Sequence, residues 1–387
     1  MPIINRISEF HSDMTEWRRH LHSIPELDFD LPKTSAFVAE KLRSFGVDEL
    51  HEGIAQTGMV AIINGQSEGP TIGLRADMDA LPMSENKDHP HKSTHAGKMH
   101  ACGHDGHTTM LLGAARYLAE TRNFSGRVAL IFQPAEEGGG GGRVMCEEGI
   151  MDRFHITQVY GIHNMPGVES GTFALNSGAL LAAADTFTIQ INGSGGHGAQ
   201  PENTKDPLIA GVSLVQALQT ISSRNLGGLD RAVISVGEFV SGTASNIVPD
   251  TARICGTVRT FDKDVQTTIA KRMQAICDGI AATFDVKVDL DFDYGYPPTI
   301  NHAANAEMAA EVARTIVGET MVDADTKPIL PAEDFAYMLE ERPGAYLFLG
   351  QGDSAPVHHP DYDFNDDISP IGASFFARMV ETLQPRG

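Results

Sequence analysis

The octapeptide His100-Ala101-Cys102-Gly103-His104-Asp105-Gly106-His107 gathers three histidines, a cysteine and an aspartate. Thiolate and imidazole are soft to borderline ligands that suit Zn, Mn, Co or Ni. Cys102 and His104 stand two residues apart, so an extended turn brings both side chains to one ion. The plain alternative is a polar loop capping the next helix, and it applies most readily to His100 and His107 taken singly. A second segment, Phe132-Gln133-Pro134-Ala135-Glu136-Glu137-Gly138, places two carboxylates after a strand and before a glycine run. Adjacent side chains of extended backbone point to opposite sides, so one carboxylate can bind metal while the other takes a proton from water. Alone, such a pair is an ordinary solvated turn; its strand context and the neighbouring cluster argue otherwise.

Three further places carry candidate ligands. His163 in Gly161-Ile162-His163-Asn164 sits at a strand end, where a merely hydrogen-bonded histidine is the common case. His358 and His359 in Val357-His358-His359-Pro360 are equivalent by residue type. Asp77 and Asp79 close the strand of Leu74-Arg75-Ala76-Asp77-Met78-Asp79. An aspartate there can orient a metal-bound imidazole through its other nitrogen, although a cap or loop role suits Asp79 equally. Farther on, His197 lies in the turn Gly193-Ser194-Gly195-Gly196-His197-Gly198, where glycines let the backbone approach a ligand. Asn246, in Ser245-Asn246-Ile247-Val248-Pro249, offers an amide to a substrate or to its own loop. No H-E-x-x-H and no G-x-x-x-x-G-K-[ST] occurs.

These residues need elements to hold them. Ile7, Phe10, Met14, Trp17 and Leu21 make one apolar helical face, and apolar runs at 59–63, 71–74, 128–132 and 159–162 read as strands. A helical stretch at 108–120 separates some of them, which predicts an α/β fold with a mostly parallel, helix-covered sheet. Sites in such sheets lie past the carboxyl ends of the strands. From residue 185 the pattern changes. Strands at 186–192, 232–239, 251–261 and 286–292 alternate with helices at 207–222 and 264–284, the first opened by Asp206 and Pro207. The order β-α-β-β-α-β is ferredoxin-like. The expected domains are therefore 1–184 with 296–387, and an insert at 185–295.

The chain has 387 residues, 41% of them hydrophobic, enough for two cores. Its 29 basic and 51 acidic residues give a formal charge of −22 (29 − 51), which disfavours nucleic acid and anionic membranes as partners. No signal-peptide pattern or membrane-length apolar run is visible. Four scattered cysteines (Cys102, Cys146, Cys255, Cys277) suit reduced thiols, so a cytoplasmic location is expected.

The motifs together resemble the hippurate hydrolase and auxin-conjugate (IAA-amino acid) hydrolase group of dinuclear-metal N-acyl-amino-acid amidohydrolases. The resemblance runs nearly end to end, through 17–22, 74–83, 99–107, 132–141, 161–164, 196–201, 243–250, 332–336 and 358–360; segments 99–107 and 132–141 are the most specific. It implies two divalent ions per subunit (Mn, Zn, Co or Ni), held by Cys102, His104, Glu137, His163 and His358. It implies Glu136 as general base, His197 polarising the scissile carbonyl and Asn246 near the substrate. It also implies that the insert is a lid through which the chain forms a homodimer. The implied reaction is amide hydrolysis of a small N-acyl amino acid, hippurate-like or N-acetylated. A deacetylase of one metabolite, a dipeptidase and an inactive metal-binding scaffold are the other readings.

Overall fold

The computed structural model describes residues 3–386. The chain divides into two compact units. The first comprises 1–180, 300–327 and 334–387; the second comprises Leu181–Thr299 with the short return Pro328–Glu333.

The first unit is built on an eight-stranded sheet. Its order is Glu49–Ile54, Gly58–Asn64, Arg127–Gln133, Thr71–Asp77, Ile156–Pro166, Gly344–Gly352, Phe173–Ala174 and Val322–Asp323. The four central strands, from Arg127–Gln133 to Gly344–Gly352, run parallel, while Glu49–Ile54 and Gly58–Asn64 extend one edge antiparallel. All seven residues of Thr71–Asp77 are buried, because helices cover both faces. On one face Ile72, Leu74, Ala76, Val128, Leu130, Phe132, Leu347 and Leu349 join a large apolar core with the helices His11–Ser23, Pro32–Phe45, His104–Thr121 and Ser369–Leu383. Each fully buried Leu, Ile or Phe there contributes about 1.5–3 kcal/mol. On the other face the alternate residues include Arg75, Asp77 and Gln133, and the helix Phe335–Glu341 packs there. The Phe335 ring lies 5.1 Å from that of Tyr346 and 5.8 Å from the Arg75 guanidinium carbon. Among the described residues no helix is long and apolar enough to cross a membrane.

The second unit is a four-stranded antiparallel sheet ordered Ala232–Ser241, Thr251–Thr260, Ala184–Asn192, Lys287–Tyr296. Helices Pro207–Thr220 and Lys263–Phe284 pack against it through Leu214, Leu218, Ile269 and Met273, opposite Ile189, Ile191 and Ile254. This is the ferredoxin-like order expected. Both helices are capped by aspartate: Asp206 accepts from the amides of Leu208 and Ile209, and Asp262 from those of Asp264 and Val265. The unit runs beyond 185–295 because Pro328–Glu333 returns to it. The Ala182 amide donates to Pro331 O at 3.0 Å, and the Thr299 hydroxyl to Glu333 O at 3.3 Å. Such long-range hydrogen bonds leave no mark on local periodicity.

Candidate metal centre

Six chemically competent side chains converge beyond the strand ends of the first unit. Cys102 precedes, and His104 begins, the helix His104–Thr121; Gly103 between them has φ 94°. Its left-handed backbone leaves no room for a side chain, since an added Cβ would sit 2.2 Å from Asn164 Oδ1 and 2.6 Å from the Tyr362 hydroxyl. Glu136 and Glu137 follow the strand Arg127–Gln133, His163 lies in Ile156–Pro166, and His358 arrives from the C-terminal loop. The amide of His358 donates to Ala101 O at 2.7 Å, pinning that loop to the Cys102 turn. Ala135 (φ 56°) and His358 (φ 62°) are non-glycine residues in the left-handed region. Such backbone costs of order 1–3 kcal/mol each and tends to gather at functional sites.

The donor atoms fall into triplets whose members lie within 4.8 Å of one another: Cys102, His104 and His163; Cys102, Glu137 and His358; and His104, Glu136 and Glu137. Cys102 Sγ is 3.4 Å from His163 Nε2, and His358 Nε2 is 3.3 Å from Glu137 Oε1. Ligands on one tetrahedral ion with bonds near 2.0–2.3 Å stand roughly 3.3–3.8 Å apart, so these spacings fit a shared cation. Three buried atoms also lack a hydrogen bond of good geometry among the described residues: both ring nitrogens of His104, and Oε1 of Glu137. A cation among them satisfies these donors; water-free burial does not.

Electrostatics agree. Burial, reinforced by Glu137, pushes the Cys102 thiol well up, so a thiolate there requires a cation beside it. Burial, together with His107, holds His163 well below the usual histidine range. The Nδ1–H of His163 donates to Asn164 O at 2.6 Å, which leaves the Nε2 lone pair free. Burial opposes charge on His104 as well, but Asp77, Asp79 and Cys102 outweigh it and hold His104 well above the usual range.

The two aspartates of the 74–79 segment have different tasks. Asp79 accepts from the Glu136 amide through Oδ1 (2.9 Å) and from the Glu137 amide through Oδ2 (3.0 Å), and its Oδ1 lies 3.4 Å from His104 Nδ1. Asp77 instead pairs with Arg75 at 2.6 Å and His107 Nδ1 at 2.6 Å, and stands 3.8 Å from His104 Nε2. His107 passes this on to Asn164 Oδ1 at 2.7 Å. Arg75 also grips Asp334, whose carboxylate accepts the Gly142 amide at 2.7 Å and thereby anchors the glycine run. Sequence reasoning missed Asn164, Tyr362 and Asp334, which act through tertiary contacts alone. His359 turns away: its Nδ1 accepts from the Asp361 amide at 3.1 Å. His100 is buried, and burial holds it down at about 4.

His197 and Asn246 are brought together on the second unit. The two-residue strands Gly196–His197 and Ile247–Val248 pair, and the Gly198 amide donates to Asn246 O at 2.8 Å. Both side chains are exposed. The Ala199 amide donates to His197 Nδ1 at 3.1 Å, which places the proton of the neutral ring on Nε2. A further fragment, Gly65-Gln66-Ser67-Glu68-Gly69, matches G-x-S-x-G, but it joins the strands Gly58–Asn64 and Thr71–Asp77 and is not the strand-to-helix elbow that pattern requires.

The family description Peptidase family M20/M25/M40 matches residues 73–382. The hippurate hydrolase of Campylobacter jejuni subsp. jejuni serotype O:2 is 40% identical over 380 residues, covering 98% of this chain and 99% of the relative. The N-acetyl-L-cysteine deacetylase of Bacillus subtilis (strain 168) is 41% identical over 371 residues, covering 96% and 88%. Among solved structures, the Bacillus subtilis YXEP protein, described as a dinuclear metal binding peptidase from the M20 family, superposes with a TM-score of 0.86. It is 31% identical and covers 97% of this chain and 98% of its own.

Proposed function

We propose a function from one premise: this chain belongs to peptidase family M20/M25/M40 and is a metal-dependent amidohydrolase. Its substrate is a small N-acyl amino acid, cleaved at the amide to a carboxylate and a free amino acid; the hippurate hydrolase and N-acetyl-L-cysteine deacetylase relatives support this class. The observation that carries the metal assignment is that Cys102 belongs to two donor triplets, one with His104 and His163 and one with Glu137 and His358. That sharing supports room for two divalent ions, drawn from Mn, Zn, Co or Ni, which Cys102, His104, Glu137, His163 and His358 would hold. Bound divalent cations would lower the pKa of a water and polarise the amide carbonyl.

The chain's own groups do the rest. Glu136, held by Asp79 through its amide, takes the proton of the attacking water at its carboxylate and returns it to the departing amine nitrogen. His197, protonated on Nε2, donates to the carbonyl oxygen as negative charge develops there, and Asn246 beside it binds the substrate. Asp77 keeps His107 and Arg75 in place behind the donors. The working location is the cytoplasm.

The insert is proposed to pair with a second copy. Its edge strand Ala232–Ser241 and helix Pro207–Thr220 expose Val233, Phe239, Val240, Ile209 and Val212. An apolar strand edge of this kind is ordinarily covered. Light scattering would give a dimer mass; a monomer at micromolar concentration refutes the pairing. The test of the chemistry is Glu136→Gln. It keeps the shape and the metal but cannot accept the proton, so turnover of hippurate and N-acetyl-cysteine should fall about 10²–10⁴-fold. Turnover within a few-fold of wild type would reduce Glu136 to a turn residue. The same panel, extended to dipeptides, fixes the acyl preference.

A further inference from the structure

A second imidazole cluster lies in the first unit and shares no donor with the Cys102 triplets. His22 ends the helix His11–Ser23, Glu85, His89 and His91 lie on the segment leading to Met99, and Asp363 lies on the C-terminal loop. The donor atoms of His22, His89 and Asp363 lie within 4.8 Å of one another. Glu85 Oε1 stands 3.3 Å from His22 Nε2 and 2.9 Å from His89 Nε2, and Asp363 Oδ1 stands 3.2 Å from His91 Nε2. The rings of His89 and His91 stack at 3.7 Å, with His22 5.6 Å and 5.5 Å from them.

The protein's hydrogen bonds do not complete this cluster. His22 Nδ1 is engaged by Asp105 at 2.7 Å, which directs Nε2 at Glu85. Both ring nitrogens of His89, and Nδ1 of His91, are buried without a hydrogen bond of good geometry among the described residues. Three imidazolium ions packed this closely would repel one another, and Arg18 already places a cation 2.9 Å from Asp363. Burial and the neighbouring His91 hold His89 below the usual histidine range, so its ring offers a lone pair beside Glu85, whereas Asp105 and Glu85 outweigh burial and hold His22 up to about 9, so an ion binding there would displace the His22 proton. Imidazoles and carboxylates converging in a partly buried site call for a positive charge between them.

We propose that His22, His89 and Asp363, backed by Glu85 and His91, form a further site for a borderline divalent ion such as Zn2+, Co2+ or Ni2+. Imidazole and carboxylate donors without a thiolate suit that class. The ion ties the helix His11–Ser23, the 85–91 segment and the C-terminal loop together. Through His22 and Asp105 it also braces the residue next to His104. Its role is structural support of the loop that carries Cys102 and His104.

The test compares stripped wild type with His89→Ala and His89→Gln, each reloaded with Co2+ or Zn2+ alone and analysed for metal content. Wild type should hold about one equivalent more than either variant. The Co2+ difference spectrum, wild type minus variant, should show ligand-field bands without the thiolate charge-transfer band that Cys102 would give. Cys102→Ser should lose that thiolate band and keep the ligand-field difference, so failure here is separable from failure of the Cys102 assignment. His89→Gln, which preserves side-chain bulk, covers the case in which the alanine variant does not fold. Equal metal content in folded His89→Gln and wild type overturns the proposal.

Discussion

Asp79→Asn isolates the contact that holds both glutamates. The carboxylate receives two backbone N–H groups, from Glu136 at 2.9 Å and Glu137 at 3.0 Å, at a position only 1% exposed. A hydrogen bond to a charged group contributes about 1.5–3 kcal/mol, and a buried donor left without a partner costs about 1–3 kcal/mol. Asparagine keeps one acceptor oxygen and turns its NH2 against the second amide. One charge-assisted bond is lost and two donors face each other, so the local cost is roughly 3–5 kcal/mol. The loop 135–137 relieves this by moving, which displaces Glu136 and Glu137. A displacement near 1 Å at a reacting group costs about 10²-fold in rate. The expected result is a fall in kcat of at least about 100-fold at saturating metal, with metal affinity weakened by about 10- to 100-fold because the brace beside His104 is also altered. Steady-state kinetics and a metal titration on the folded variant read both. A kcat within threefold of wild type, with unchanged metal affinity, would refute the assignment of Asp79 as the support of the Glu136–Glu137 turn.

Two other perturbations follow from the same geometry. Gly103→Ala forces a Cβ into Asn164 and Tyr362 at a φ of 94°, so it should lose metal and cost several kcal/mol of stability, of which about 1–3 kcal/mol is overpacking; normal metal content and an unchanged melting temperature would contradict the crowding. Chelation should abolish activity and restore it on adding Mn2+, Zn2+, Co2+ or Ni2+, with peroxide inactivating the stripped form faster than the loaded form through Cys102; full activity in metal-free protein would remove the metal from the reaction.

Much of the architecture could be read from local pattern, and the limits of that reading are physical. The insert was legible because strands alternate with helical stretches, the first of them opened by Asp206 and Pro207. The segments 99–107 and 132–137 were legible because their donors are neighbours in sequence. Asp77 and Asp79 could not be told apart, since residues two apart on extended backbone project to the same side. Only the folded chain shows Asp79 beneath the glutamate amides. Likewise, His358 and His359 differ only in the turn that aims one of them at Glu137. The return of Pro328–Glu333 to the insert, and the meeting of His22 with His89 and His91, depend on packing between distant segments and have no local signature.

The spacing of the donors along the chain sets an order of assembly. Cys102, His104 and His163 all precede the insert, whereas His358 follows His163 by 195 residues (358 − 163), with the whole insert between them. During synthesis the first triplet exists before the insert has been made, and the triplet that needs His358 cannot close until nearly all of the chain has been released. An ion held by Glu137 and His358, members of one triplet, would close a loop of 221 residues (358 − 137). In the chain-entropy picture such a link removes about 5 kcal/mol of freedom from the unfolded ensemble. The donor set is thereby arranged as a latch, which a bound ion would close, between the end of the chain and its first half.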